Sequence, residues 1–410
     1  MAAGVVRLLA LSLALFLRQA HPVSTARCSI DVSVDLNASS PLLLDSRGLE
    51  VVYPSKSQPR VLSLSPGDER VLHCLGGTLQ PGLGSASDLS RCVGGKTFSS
   101  VAKRKEYSID RVHCSKSPDA TTREDAARKC KNGVVVNLGY ELSSGFLTTI
   151  DLCYVDELAT TSWAHSKIPG AVNGFRSREP QTASFGKGNY FKSVLMGNVY
   201  PRNNQVQTFM QIFDGNKDLV DKYLPASGDK NYLVRGHLVA RADKFYHAEQ
   251  RSTYFYVNAL PMWQSINNGN WRVVEATVRR IAGIVGEMEV WTGGLGVLRL
   301  SDREIYLATD RRNDNRRLVP APKLLFKLAY DAKSNEALVF VTVNNPYADD
   351  ASLAREYKTC GAYRQCDDKF AQFRQRREGY TYCCTYDEFV KSWPDLLPLN
   401  ISNAKPLTLH

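Results

Sequence analysis

The sequence predicts an α+β fold with a central antiparallel sheet, preceded by a β-rich N-terminal region that carries disulfides. In the second half of the chain, strand-like segments are followed by one amphipathic helix and then by more strands. In the first half, short apolar runs are separated by Gly and Pro. The composition, 43% hydrophobic and 23% charged, is that of a globular protein. It excludes a disordered chain, a collagen-like repeat and a multispan membrane protein.

The first 26 residues have the pattern of a secretory signal peptide. Arg7 is followed by an apolar run over residues 8–17, which is shorter than the roughly 20 helical residues that span a bilayer. Small residues follow, so we expect residues 1–26 to be cleaved. An uncleaved N-terminal anchor is the alternative. Cleavage removes Arg7 and Arg18 and lowers the formal charge from +11 to +9. This basic balance favours a polyanionic partner such as nucleic acid, heparin-like sugar or anionic lipid.

The ten cysteines divide the chain. Six lie within residues 28–153, none within 154–359 and four within 360–384. An even number in a secreted chain predicts up to five disulfides, and we expect the adjacent Cys383 and Cys384 to bond to two different partners. No C-x-x-C pair occurs, which disfavours zinc fingers and thioredoxin-like redox chemistry. We therefore predict an N-terminal region over residues 27–155 and a larger domain over 156–410.

Two sequons support an extracellular location. Asn37-Ala38-Ser39 and Asn400-Ile401-Ser402 match the acceptor pattern for N-glycosylation, although such triplets also arise by chance. Together with the signal peptide and the cysteines, they predict a secreted, disulfide-bonded glycoprotein without a membrane anchor.

The predicted elements of the two regions differ. Residues 49–53, 61–64 and 134–138 are apolar or alternating runs bounded by turn residues, which indicates strands. In the second region, residues 254–257, 288–291, 324–330 and 337–343 are rich in β-branched and aromatic residues and are also predicted strands. Thr292-Gly293-Gly294 is expected to end the second of these.

One helix is clearly predicted. The apolar residues Val274, Val278, Ile281 and Val285 recur at helical spacing. Asn270 is a candidate N-cap for a helix that runs from residue 271 towards residue 286.

A first candidate for chemistry is Arg235-Gly236-His237. A glycine before the histidine permits a sharp turn that exposes the ring. Histidine is the side chain whose ordinary pKa suits a general base near neutral pH. A lone triplet of this kind is usually incidental in a chain of this length, so it needs a partner cluster.

The second candidate is the asparagine-rich segment 258–271 with the helix after it. Trp271, Glu275 and Arg279 are spaced i, i+4, i+8 and share one helix face, and Asn267 precedes the helix. A helix N-terminus suits phosphate, and Mg²⁺ takes oxygen ligands while keeping several waters. The plainer interpretation is a polar loop followed by an ordinary Glu275–Arg279 surface pair.

The combined pattern R-G-H followed by N-x-x-P-x₅-N-x-x-x-W-x-x-x-E resembles the DNA/RNA non-specific endonucleases, which have a ββα-metal active site. The similarity is greatest to their secreted arthropod branch, which includes crab duplex-specific nuclease, insect double-strand ribonucleases and the salivary endonucleases of blood feeders. It covers roughly residues 156–395. The residues that carry it beyond the R-G-H triplet are Asn258-Ala-Leu-Pro261, Trp263-Gln264 and Asn267-Asn268-Gly269-Asn270-Trp271.

The resemblance implies a role for each matching residue. His237 matches the general base that activates water, and Asn267 matches the one direct protein ligand of the metal ion. Glu275 matches the residue that holds water of the ion's hydration shell. Arg235 and Arg279 match arginines that bind phosphate and stabilise developing negative charge. Asn258 matches an asparagine that lines the site.

Two positions depart from the family pattern. Val234 stands where most members have Asp, and Met262 stands where they tend to have Gln. Gln264 is a candidate substitute at a different spacing. These departures bear on substrate contacts rather than on catalysis.

Four basic runs are further candidates for substrate contact: Lys103-Arg104-Lys105, Arg311-Arg312, Arg316-Arg317 and Arg374-x-Arg376-Arg377. Such runs more often form solvated surface. His165 has no evident partner in the sequence, and we expect it to be structural.

The sequence thus predicts a secreted endonuclease that hydrolyses the phosphodiester bonds of DNA, RNA or both, with a preference for duplexes that rests on the resemblance. The expected cofactor is Mg²⁺, with Mn²⁺ or another divalent cation as alternatives. The expected partner is the nucleic-acid substrate, with no obligate protein partner. The alternatives are a catalytically inactive secreted binder of nucleic acid or another polyanion on the same fold, and a purely structural secreted glycoprotein.

Overall fold

The computed structural model describes residues 26–174, 184–226, 231–310, 313, 315–361, 366 and 369–409. The predicted signal peptide and the Arg311-Arg312 run lie outside these residues, apart from Ala26. No helix among the described residues is long and apolar enough to cross a bilayer.

The N-terminal region is built around a five-stranded antiparallel sheet, which confirms its predicted β-rich character. Its strands, in spatial order, are Leu42–Leu44, Glu69–His73, Ser87–Gly94, Thr97–Ser100 and Glu106–Ser108. Two further pairs accompany it: Cys28–Asp31 with Val61–Leu64, and Leu79–Gln80 with His113–Cys114. Disulfides Cys28–Cys92 and Cys74–Cys114 lie in its core.

The predicted central antiparallel sheet has nine strands, of which eight form a continuous order. They are Thr121–Cys130, Gly133–Leu142, Gly145–Val155, Thr160–Ile168, Met288–Val297, Pro322–Asp331, Glu336–Val343 and Thr381–Cys384. The ninth, Lys405–Pro406, pairs in parallel with Glu336–Val343.

The central sheet runs through position 155. Strands on both sides of that position are hydrogen bonded to each other, and the disulfide Cys130–Cys153 joins two of the first three. The division of the chain at residue 155 stays a prediction about folding units.

Residues 169–287 are inserted between two neighbouring strands of the central sheet. This insert holds the helices Met196–Val199, Arg202–Ile212, Lys217–Tyr223, His247–Ser252, Gln264–Asn268 and Asn270–Val285. It also holds the hairpin of Leu233–His237 with Ala259–Trp263. The predicted amphipathic helix is confirmed as Asn270–Val285, with Val274, Val278 and Ile281 fully buried.

Two hairpins and a disulfide-bonded segment complete the fold. The hairpins pair Arg299–Leu300 with Arg303–Glu304 and Tyr306–Asp310 with Arg316–Pro320. Near the C-terminus lie the helices Asp350–Ser352 and Tyr386–Ser392. Cys383 bonds to Cys366 and Cys384 bonds to Cys360, so the adjacent cysteines do reach different partners, as predicted.

Four local predictions are wrong. Residues 49–53 do not form a strand, since only Val51 makes an isolated bridge, to Leu44. Residues 254–257 do not form a strand, since Tyr256–Asn258 is a 3₁₀ turn that brings Asn258 beneath the neighbouring loop. Asn270 is the first residue of its helix and caps nothing, because its amide is used elsewhere. Thr292-Gly293-Gly294 continues the strand Met288–Val297, where Gly293 allows close approach: a Cβ there would lie 2.2 Å from the Ser162 carbonyl oxygen.

Candidate active site

A short hairpin presents His237. Its strands Leu233–His237 and Ala259–Trp263 are antiparallel, and His237 is the last residue of the first. Gly236 is required by packing rather than by a sharp turn, since a Cβ there would lie 2.6 Å from the Met262 side chain. Met262 is itself fully buried. Met262, at the position where the resembled nucleases tend to have Gln, therefore packs inside the hairpin.

The start of the helix Asn270–Val285 is fixed by the C-terminal segment. Asn270 is fully buried, and its Nδ2 donates to the carbonyl oxygens of Gly379 (2.7 Å) and Gln372 (2.9 Å). Gly269 lets this segment approach, because a Cβ at that position would lie 2.7 Å from the Glu378 carbonyl oxygen. The chain just before the helix, which carries Asn267, is held by these contacts.

A cavity of about 470 Å³ opens between the end of the hairpin and the start of this helix. Four of the predicted site residues line it: His237, Asn267, Glu275 and Arg279. They come from a strand end, a short helix and the face of the longer helix, so the fold brings together residues that are up to 42 positions apart. The cavity lies at a helix N-terminus, where the backbone partial charge favours an anion.

His237 lines this cavity. Its Nε2 is buried without a hydrogen-bond partner among the described residues. Phe185 and Tyr254 pack on the ring at centroid distances of 5.1 and 5.2 Å. Burial lowers the pKa of His237 to about 4, with Arg235 adding to the shift and Asp243 opposing it. The imidazole is therefore neutral near pH 7 and can accept a proton.

Glu275 and Arg279 do not form the simple surface pair of the plainer interpretation. Nη1 of Arg279 lies 2.8 Å from Oδ1 of Asp243, whose side chain is 2% exposed. Burial raises the pKa of Glu275 to about 7; the charge of Asp243 adds to this, and those of Lys327 and Arg279 oppose it. The site thus contains two carboxylates and two cations that interact with one another.

Asp243 and Lys327 were missed by the sequence analysis. Nζ of Lys327 lies 4.0 Å from Oδ2 of Asp243 and donates to Thr292 Oγ1 (2.7 Å) and to the Leu238 carbonyl oxygen (3.3 Å). Burial lowers the pKa of Lys327. The sequence does contain one signal for it, a single lysine in the apolar strand of residues 324–329, where an unpaired charge would be costly.

Three predicted site residues lie outside the cavity wall. Arg235 is exposed, and its guanidinium lies 4.8 Å from the centroid of Phe185, the ring that packs on His237. Asn258 is fully buried and holds the loop after His237: its Oδ1 accepts from Val239 N, and its Nδ2 donates to Val239 O, both at 3.0 Å. Gln264 is half-buried at the start of the helix Gln264–Asn268, and its Oε1 has no partner among the described residues. Their assigned roles stay predictions.

The cavity suits a hydrated divalent cation held by few protein ligands. The side-chain amide of Asn267 forms no hydrogen bond to the described residues, so its oxygen is free to coordinate an ion. Glu275 lies on the same wall. No cluster of three His, Cys, Asp or Glu that could hold a metal occurs in the described part of the chain. These residues would suit an ion such as Mg²⁺, which takes oxygen ligands and keeps several bound waters.

The cavity thus combines an imidazole, an amide oxygen and a carboxyl group, which are groups that metal-assisted hydrolysis can use. The model of the DNA/RNA non-specific endonuclease family matches residues 131–389, and the chain belongs to this family of divalent-metal-dependent nucleases.

Relatives of this chain are known from insect saliva. It is 28% identical over 319 residues to the salivary endonuclease of Lutzomyia longipalpis, which covers 76% of this chain and 74% of the relative. It is 26% identical over 392 residues to salivary protein Tsal1 of Glossina morsitans morsitans, with 92% of both chains covered. A chain in the crystal structure of the EndoG/EndoGI complex aligns at 17% identity and a TM-score of 0.32, over 49% of this chain and 74% of that one. That similarity is too low to carry an argument.

Apart from Arg311-Arg312, which lies outside the described residues, the basic runs do not line the cavity. Lys103, Arg104 and Lys105 are exposed on the N-terminal region. Arg316, Arg317 and Arg376 form ion pairs with Asp310, Glu304 and Asp350, respectively. The contact of these runs with substrate stays a prediction.

Proposed function

We propose that this chain is a secreted, Mg²⁺-dependent endonuclease that hydrolyses the phosphodiester bonds of DNA, RNA or both, with a preference for duplexes. The observation that carries the proposal is the meeting of His237, Asn267 and Glu275 in one cavity at a helix N-terminus. A neutral base and an oxygen site for a hydrated cation are both needed for this reaction. The salivary relatives support secretion, and their printed names include endonucleases.

In this mechanism, the imidazole of His237 takes a proton from the water that attacks phosphorus. The bond from phosphorus to one sugar oxygen breaks, and that oxygen takes a proton from solvent water. A bound divalent cation supplies Lewis-acid stabilisation of the negative charge. Asn267 contributes the protein oxygen to that ion, and Glu275 orients nearby water by accepting hydrogen bonds. Arg235 and Arg279 are assigned the stabilisation of the charge that develops on the phosphate oxygens, as the family resemblance implies. Asn258 positions the loop that follows His237 through its two hydrogen bonds to Val239.

The test is cleavage of plasmid DNA and double-stranded RNA by the purified chain, with Mg²⁺ or with chelator. His237→Ala is expected to abolish cleavage of both. His113→Ala is the matched control, because His113 is exposed on the N-terminal region and lines no part of the cavity. Absence of metal-dependent cleavage by the unmodified chain would contradict the proposal and favour the inactive nucleic-acid binder.

A further inference from the structure

The cavity is lined by more positive charge than the catalytic roles use. Among the described residues, four basic ones line it, Arg241, Lys244, Arg272 and Arg279, against the one carboxyl group of Glu275. Two of the four are committed within the protein. Arg279 pairs with Asp243 at 2.8 Å, and Nζ of the buried Lys244 donates to the Thr149 carbonyl oxygen at 2.6 Å.

The other two basic residues are free. Within the described part of the chain, the guanidinium groups of Arg241 and Arg272 form no ion pair and no hydrogen bond. Arg272 is exposed and Arg241 is half-buried. A free guanidinium in a cavity wall has all of its donors available to a ligand, and its planar geometry suits two oxygens of one phosphate.

These two arginines lie on different walls of the cavity. Arg241 begins the 3₁₀ turn Arg241–Asp243, four residues after His237. Arg272 is in the first turn of the helix Asn270–Val285, three residues before Glu275, so both lie on one helix face. One arginine thus stands beside the base and the other beside the proposed ion site. A phosphodiester in this cavity has a neighbouring phosphate on either side along its strand, and Arg241 and Arg272 line the same cavity.

We propose that Arg241 and Arg272 bind the phosphates that flank the scissile phosphate, one on each side. This inference rests on the proposed function for the identity of the ligand. The inference assigns the arginines two roles. Arg235 and Arg279 act on the reacting phosphate, whereas Arg241 and Arg272 hold the nucleic-acid strand in place. Because they contact backbone and not bases, they contribute affinity without sequence preference.

The test is binding rather than cleavage. The Kd of short DNA and RNA duplexes is measured by fluorescence anisotropy in chelator, over a series of salt concentrations. Arg241→Ala and Arg272→Ala are each expected to raise Kd on the order of tenfold. Each is also expected to reduce the slope of log Kd against log salt by about one, as for the loss of one phosphate contact. Arg→Lys variants retain the charge and are expected to retain the slope.

Arg111→Ala is the matched control, because it removes one exposed arginine of the N-terminal region. Equal Kd and slope for the unmodified chain and both cavity variants, or an equal effect of the control, would overturn the inference. Absence of salt-dependent duplex binding by the unmodified chain would also overturn it. Binding that depends on both arginines in a chain that cleaves nothing would instead contradict the proposed function and leave the inference standing.

Discussion

Arg279 Nη1 lies 2.8 Å from Asp243 Oδ1, and Lys327 Nζ lies 4.0 Å from the other carboxylate oxygen. Asp243 is therefore the shared counter-charge of two cations behind the cavity. The ion pair joins the turn after His237 to the helix that carries Glu275. Its loss affects both walls of the site.

Asp243→Asn is expected to destabilise the protein by about 3–5 kcal/mol, because it leaves Arg279 and Lys327 buried without their carboxylate. The pKa of Glu275 should also fall, since the negative charge of Asp243 raises it. Urea unfolding measures the first effect. The control is Asp214→Asn, which breaks the exposed pair with Arg303 and should cost under about 1 kcal/mol. Similar losses for the two variants would contradict the role given to Asp243.

Asn270→Ala is expected to lower kcat and to cost about 1–3 kcal/mol, because the carbonyl oxygens of Gly379 and Gln372 lose their donor and the helix start is released. Asn335→Ala is a close match, since Asn335 Nδ2 also donates to two carbonyl oxygens, those of Ser402 and Asn403, but at the surface. Steady-state kinetics and thermal unfolding compare the two. A normal kcat for Asn270→Ala would show that the helix start is held by other contacts.

Tyr53→Phe tests the connection of the N-terminal region to the site. Tyr53 OH donates to Glu249 Oε1 at 2.6 Å, and Glu249 is 3% exposed. Loss of a donor to a buried carboxylate is expected to cost about 1.5–3 kcal/mol. Hydrogen exchange should rise in residues 245–250, whose aromatic side chains pack in the N-terminal core.

Tyr330→Phe is the control for this prediction, because its hydroxyl donates to the neutral Asn335 at 3.2 Å. Unchanged exchange in residues 245–250 of Tyr53→Phe would disprove the connection.

His165 has partners that the sequence did not reveal. It lies between Asp151 (Nδ1–Oδ2 3.2 Å) and Glu289 (Nε2–Oε2 2.5 Å), and its ring stacks on Trp291. Burial opposes protonation, but the hydrogen bonds to the two carboxylates raise the pKa of His165 above its usual 6.5. Both carboxylates have lowered pKa values. Burial raises each pKa, but the hydrogen bonds and charges of His165 with Arg128 at Asp151, and of His165 with Lys167 at Glu289, together lower it.

These shifts predict how stability depends on pH. The contribution of His165 is fully present below pH 6.5 and is lost as the pH rises through the folded-state pKa. The free energy of unfolding of His165→Phe, which keeps an aromatic ring on Trp291, should therefore approach that of the unmodified chain as the pH rises. Denaturant titrations from pH 5 to pH 9 measure it. For His73→Phe the trend should be the opposite, because burial lowers the pKa of His73; parallel trends would contradict the assignment.

Much of the site was predictable because its chemistry is local in sequence. His237, Asn267, Glu275 and Arg279 stand in two short segments, and the helical spacing of Val274, Val278 and Ile281 indicated the helix and its buried face. The strands at 324–330 and 337–343 were apparent because buried strands are continuous apolar runs.

The remainder depended on contacts between distant residues. Lys327 meets Asp243 across 84 positions, and no local pattern records such a pairing. Tyr254 and Phe255 have the composition of a strand, yet their backbone turns because Asn258 hydrogen bonds back to Thr253 (2.9 Å) and Val239. Asn270 has the residue type and position of a helix cap. Its actual acceptors, the carbonyl oxygens of Gln372 and Gly379, come from about 100 residues away and leave no local signal in the sequence.

The strands Thr160–Ile168 and Met288–Val297 pair side by side although residues 169–287 separate them in the chain. Closing this long loop costs conformational entropy before any contact compensates for it, so we expect these strands to pair late in folding. All five disulfides lie outside the loop. Oxidation can therefore rigidify the regions on either side while the catalytic segment relies on noncovalent packing alone. A refolding chain could acquire all its crosslinks and still lack activity.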